Sequence, residues 1–211
     1  MPILKYNHKI LYFSHMPKCA GTSVMRIFSI ISECKPSFYD PTFTEHNYDR
    51  WSFSSPQHIL GKDVSKMFAP EFFDQYFAVC RDPIERFISA FLHQKYYEKK
   101  IPSYTNINEF INKISFLDGK EFQKYDNHFQ PQSSFLFPDV RYTCFKLESG
   151  LKPVVDYLFN YFEVEKFPIK IPRENRMGKP KISENLLLTD ASIAKLKRLY
   201  EKDYQIFRYQ A

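Results

Sequence analysis

The stretch H-M-P-K-C-A-G-T-S, residues 15–23 of the 211-residue chain, puts a lysine three positions ahead of a glycine and a small hydroxyl cluster. Apolar segments flank it on both sides, K-I-L-Y-F before and V-M-R-I-F after. A small-residue turn that feeds a helix aims backbone N–H groups and the positive helix end outward. The amides of Ala20, Gly21, Thr22 and Ser23 could surround a phosphate or sulfate, with Gly21 allowing the tight backbone and Lys18 adding a full charge at the rim. The segment alone reads equally well as a glycine turn with a solvated lysine and a Thr/Ser helix cap.

Residue order narrows the chemistry. An ATP-type phosphate loop carries its lysine after the second glycine, next to a Mg²⁺-binding hydroxyl. Here Lys18 comes first, no leading glycine precedes it, and no apolar strand ends in a metal-holding Asp. That pattern points to an anion handled by protein cations without a metal. The six histidines (8, 15, 46, 58, 93 and 128) show no paired metal-ligand spacing.

A second constellation lies in Y-F-A-V-C-R-D-P-I-E-R-F-I-S, residues 76–89. Arg81 and Ser89 could bracket another phosphate, the guanidinium by a charge-assisted fork and the serine by its hydroxyl. Taken singly they read as a helix-capping ion pair with Asp82 and a small packing residue. Arg86 reads as structural, paired with Glu85 or another surface acid.

Periodicity supplies the elements that would position these groups. Residues 9–15 and 76–80 are short apolar, aromatic-rich runs that suit buried parallel strands. Val24, Ile27, Phe28 and Ile31 fall on one helical face, as do Ile84, Phe87, Ile88 and Phe91. Asp82, Pro83 and Glu85 form an N-cap, a first-turn proline and a capping acid. A third strand–helix unit covers 142–148 and 151–162. Ile107, Phe110, Ile111 and Ile114 mark an inserted helix, and a last helix runs from Thr189 or Asp190 towards Phe207. Residues 166–181 are basic and proline-punctuated, which predicts a surface loop. Alternating strands and helices predict one α/β domain over 1–211, a P-loop-like three-layer fold with a mainly parallel central sheet flanked by helices. Ligands in such folds sit beyond the carboxyl ends of the strands, where both motifs fall.

Composition sets outer bounds. A hydrophobic fraction of 44% supports a sizeable core, and a net charge of +6 suits an anionic partner. The lysines are dispersed rather than blocked, which argues against nucleic acid. Four cysteines without C-x-x-C spacing read as reduced thiols. The start of the sequence is too polar for a signal segment and no apolar run is long enough to span a membrane, so a cytoplasmic location is expected.

H-M-P-K-C-A-G-T-S resembles the 5′-phosphosulfate loop of sulfotransferases that use 3′-phosphoadenosine 5′-phosphosulfate (PAPS), above all the carbohydrate (heparan/chondroitin-type) branch. Y-F-A-V-C-R-D-P-I-E-R-F-I-S-A-F is similar to that family's 3′-phosphate element, in the right order about sixty residues on. The ending Y-E-K-D-Y-Q-I-F-R-Y resembles the family's closing segment, so the likeness covers most of the chain.

The resemblance implies sulfuryl transfer from PAPS to a hydroxyl acceptor, a sugar or glycan, with no metal and with adenosine 3′,5′-bisphosphate as product. It implies that Lys18 stabilises the leaving group, that residues 20–23 hold the 5′-phosphosulfate, and that Arg81 and Ser89 hold the 3′-phosphate. His58, in the segment before the second strand, matches the general base. His15 is carried by the loop motif and would orient it, while His8, His46 and His93 are left as surface or core residues. His128 and Gln132, in H-F-Q-P-Q, resemble an acceptor-side segment, so the insertion at about 93–142 is expected on that side. Arg176 in the basic loop would close over the nucleotide. Cys19 stands where the family often has Thr, and Pro-Gln precedes His58 where it usually has Gly. An ATP-dependent phosphotransferase and a non-catalytic binder of nucleotides or glycans are the alternatives, and the oligomeric state is left open.

Overall fold

The computed structural model describes residues 1–43, 52–114, 121–170 and 186–210. Four strands, β1 (Ile3–Tyr6), β2 (Lys9–Ser14), β3 (Gln75–Cys80) and β4 (Thr143–Lys146), form one sheet in the order β1-β2-β3-β4. β2 pairs parallel with β3, and β3 with β4, while β1 folds back antiparallel on β2. The sheet is therefore mainly parallel, with one added edge strand that the sequence reading did not contain. β1 is only four residues long, and its turn depends on Asn7 at a φ of 52°, a left-handed conformation that Asn tolerates well.

Side chains alternate across the sheet. Leu11, Phe13, Phe77 and Val79 face helices α1 (Gly21–Ser32) and α5 (Lys152–Phe162), forming one buried core. Phe13 and Phe77 stack there at 4.6 Å, as their register requires. On the opposite face Tyr12 and Tyr76 pack with Val64 of the short helix α2 (Gly61–Val64). Ala78 and Cys80 pack there with Phe207. Burying a side chain of Phe or Leu size contributes about 1.5–3 kcal/mol, so alternation alone explains why both sheet faces are covered.

Helices α3 (Pro83–Tyr96), α4 (Ile107–Ile114), α6 (Asp190–Leu199) and α7 (Glu201–Phe207) contribute to a second core around Phe87, Phe91, Phe110 and Tyr200. Asp82 caps α3 as its sequence predicts, accepting from the N–H groups of Ile84 and Glu85. Thr189 caps α6. The expected single last helix is broken at Tyr200, whose backbone (φ −108°, ψ 21°) leaves the helical region. Its ring is fully buried and its hydroxyl donates to the carbonyl of Phe129. Among the described residues no helix is long and apolar enough to cross a membrane.

Candidate active site

β2 ends at Ser14 and α1 begins at Gly21, so residues 15–20 make the whole turn. Lys18 and Ala20 both adopt left-handed backbone, with φ of 68° and 60°. Such conformations cost a non-glycine residue about 1–3 kcal/mol each, and they gather where a chain is shaped around a ligand. The first amides of any α-helix have no acceptor in the preceding turn, and at α1 the cap residue, Ala20, offers no side-chain acceptor either. Gly21, expected to allow the tight backbone, has no positive φ itself; the left-handed turns fall on Lys18 and Ala20, and glycine is required at 21 by contact instead. A Cβ there would lie 1.6 Å from His15 Nε2, so the imidazole sits directly on the loop.

A cavity of about 670 Å³ opens at this turn, lined by Lys18 and Ala20, Gly21, Thr22 and Ser23 together with His15, His58, Asp126 and His128. The strand–loop–helix junction thus meets residues from the 93–142 insertion in one space. Lys18 is largely desolvated there, which lowers its pKa to about 8, and the neighbouring Arg81 guanidinium adds to that shift. The lysine therefore stays charged at neutral pH without being strongly hydrated.

His58 is held from behind. Its Nδ1 lies 2.7 Å from Asp126 Oδ2 and 2.9 Å from Ser55 Oγ. Ser55 also donates its amide (2.6 Å) and hydroxyl (2.8 Å) to the two Asp126 oxygens. Burial opposes ionisation of Asp126. The His58 charge and hydrogen bond, His128 and the Ser55 amide outweigh it and hold the carboxyl well below the usual range. An ionised Asp126 keeps the proton of a neutral His58 on Nδ1 and leaves Nε2 as the basic nitrogen.

Three further imidazoles surround the pair. His15 stacks on His58 (centroids 5.0 Å, planes 11° apart), and His128 meets it edge-on at 5.1 Å. His93 stacks on His128 and pairs with Glu98. Burial, followed by repulsion from a protonated His58, pushes His15 and His128 well below the ordinary histidine value, so both are neutral at pH 7. Among the described residues neither buried ring nitrogen of His15 has a hydrogen-bond partner. The donor atoms of His58, Asp126 and His128 lie within 4.8 Å of one another, close enough to hold a metal ion. In this structure, however, the Asp126 oxygens are occupied by Ser55 and His58.

The sequence-derived residues divide. Lys18, residues 20–23, His58 and His128 meet in the cavity. Arg81 and Ser89 do not line it: Arg81 stands just before the Asp82 cap, with Nη2 3.3 Å from Glu85 Oε2, and Ser89 is half-buried in the second turn of α3. Arg176 lies outside the described residues. Gln132 is fully buried and absent from the cavity wall, its amide bonded to Arg81 and Cys19, so it offers no group to an acceptor. Arg86 is fully buried rather than paired at the surface; its guanidinium donates to the carbonyls of His128 and Gln130 at 2.8 Å. His93, expected at the surface or in the core, lines the cavity. Asp126 and Ser55 were missed. The one local signal for Asp126 is its place two residues before His128.

A family model described as the sulfotransferase family matches residues 3–210. The chain belongs to the sulfotransferase family. No curated protein and no solved structure shows a significant match to it. Sulfotransferases move a sulfuryl group to a hydroxyl-bearing acceptor, which requires an anion cradle, a cation near the bond that breaks and a base for the acceptor proton. In this sulfotransferase the cavity gathers an uncapped helix start, Lys18 and the Asp126-supported His58.

Proposed function

We propose that this sulfotransferase takes its sulfuryl group from PAPS and delivers it to a hydroxyl of a sugar or glycan. The observation that carries the reading is the single cavity joining the 18–23 loop to the Asp126–His58 pair. Left-handed Lys18 and Ala20, a helix start without a side-chain cap and a buried His15 ring that bonds to none of the described residues fit a phosphosulfate on that loop. PAPS supplies an activated sulfuryl group whose S–O bond to phosphate is the one that breaks.

His58 Nε2 takes the acceptor proton as the hydroxyl oxygen bonds to sulfur, and Asp126 stabilises the imidazolium that forms. Lys18 meets the charge gathering on the bridging oxygen as the adenosine bisphosphate departs. Amides 20–23 hold the sulfonate in line, and Arg81 with Ser89 accounts for the 3′-phosphate. Gln57, Asp40 and Glu98 beside Tyr39, Phe43 and Tyr97 give the cavity polar partners for hydroxyls and aromatic faces for a sugar ring. His93, Tyr97, Glu98, Asp126 and His128 all come from the 93–142 insertion, which suits an acceptor-side role within one catalytic domain.

Calorimetry with adenosine 3′,5′-bisphosphate beside AMP and ATP tests the donor, and radiolabelled sulfate transfer to a panel of neutral and acidic saccharides tests the acceptor. A clear preference for the bisphosphate, with turnover in the presence of a chelator, is expected. Preference for ATP with Mg²⁺ would replace the reading by a phosphotransferase. Bisphosphate binding without any transfer would leave a non-catalytic binder.

A further inference from the structure

Gln132 was expected at the acceptor and stands elsewhere. Its Oε1 accepts from the Arg81 amide at 2.9 Å and from the Cys19 thiol at 3.3 Å, while its Nε2 donates to the Arg81 carbonyl at 2.8 Å. Cys19 is inside the opening loop, between Lys18 and Ala20, and Arg81 directly follows β3. One neutral side chain therefore spans the two β-to-α junctions that carry the anion-binding motifs. We propose that Gln132 is a positioning residue that fixes the separation of these two loops, so that both phosphates of one adenosine bisphosphate are gripped together. The inference rests on the PAPS reading above.

The backbone that carries this side chain is itself anchored through its N–H groups. The fully buried Asp203 carboxylate of α7 accepts from the amides of Gln132 (2.7 Å) and Ser133 (2.8 Å), which open the short helical turn Gln132–Phe135. Two residues upstream, Arg86 holds the Gln130 carbonyl, and Tyr200 holds that of Phe129. The segment from Phe129 to Ser133 is thus held at four points, a fixed base from which the Gln132 amide reaches both loops. Burial pushes the Cys19 thiol up to about 12, which keeps the proton it donates. Preorganised spacing matters because a second phosphate adds affinity only when its pocket already stands at the right distance from the first.

The test is calorimetry of adenosine 3′,5′-bisphosphate and 5′-AMP on the wild type and on Gln132→Met, which keeps the volume and loses the amide. The ratio of the two affinities reads the grip of both loops, whereas general destabilisation lowers both affinities alike. The ratio should fall about tenfold, the loss expected from about one to two buried hydrogen bonds, with AMP affinity nearly kept. Gln132→Asn, polar but one methylene too short to span both loops, should lower it similarly and serves if the methionine variant does not fold. A ratio unchanged in a folded variant overturns the proposal. A wild type that binds the two nucleotides equally instead overturns the PAPS reading, with or without Gln132.

Discussion

Asp126 Oδ2 lies 2.7 Å from His58 Nδ1 across 68 residues of sequence, and Ser55 closes the triangle with bonds to both. The arrangement fixes one imidazole tautomer by chemistry rather than by packing. Asp126→Asn keeps the shape but can present its N–H to Nδ1, which would move the histidine's proton to Nε2. Turnover should drop about 10²–10⁴-fold, the range for a displaced general base, while adenosine bisphosphate affinity stays within about twofold of the wild type. Equal losses in both measurements would assign Asp126 to folding instead.

Lys18 makes the nucleotide interaction pH-dependent. Its folded-state pKa of about 8 lies below the ordinary 10.5, mainly through burial. The free protein thus loses this charge as pH rises through 8, while a bound phosphate holds the proton on. Bisphosphate affinity should weaken above pH 8 by up to about tenfold per pH unit. Lys18→Arg, charged at every accessible pH, should flatten that limb, and Lys18→Ala should abolish transfer without unfolding the protein. Calorimetry at pH 7, 8 and 9 decides it.

The strand–loop–helix units were legible because each is local. A short apolar run, a small-residue turn and a 3.6-residue stripe sit within thirty residues of one another, and Val24, Ile27, Phe28 and Ile31 are all buried as that stripe requires. The left-handed backbone at Lys18 and Ala20 was not legible, since neither residue type favours it. Nor was the support of the site. Asp126, Gln132 and Arg86 act on partners 68, 51 and 42 positions away, respectively, with nothing periodic to mark the pairing. Arg86 was misread because an arginine beside Glu85 on a helix looks solvated. Its position next to Phe87 on the inner face emerges only once α3 is packed.

Gly21→Ala offers a steric test of the loop. The new Cβ would overlap the His15 ring at 1.6 Å, so either the imidazole or the loop must move. Bisphosphate affinity should fall at least tenfold, a loss of about 1.4 kcal/mol. His15→Ala in the same chain should recover most of it by making room. A double-mutant cycle with no coupling between the two sites would show that the loss does not arise from the His15 contact.

Arg86 ties α3 to the strap that carries His128 and Gln130, and its guanidinium carbon stands 5.0 Å from the centre of the Tyr200 ring. Arg86→Met keeps the aliphatic stem and strands two buried carbonyls, each costing about 1–3 kcal/mol. Chemical denaturation should show a loss of about 2–4 kcal/mol. A change below 0.5 kcal/mol would mean that water replaces the guanidinium without cost.

Acid stability should follow the buried imidazoles. His15 and His128 titrate below their unfolded value of 6.5 because burial, and then His58, oppose their charged forms. Below pH 6.5 the unfolded chain takes up protons that the native cavity refuses, so folding weakens as pH falls. The loss should approach about 1.4 kcal/mol per pH unit for each histidine. Asp126 acts in the same direction lower down: its depressed native pKa adds stability that is present above 3.8 and lost as pH falls towards its native value. Denaturation midpoints from pH 8 to 4 should bend downward near 6.5, and His15→Gln should make the bend shallower. A flat profile between pH 6.5 and 5 would mean that the cavity admits protons freely, and the neutral imidazole wall around His58 would have to be abandoned.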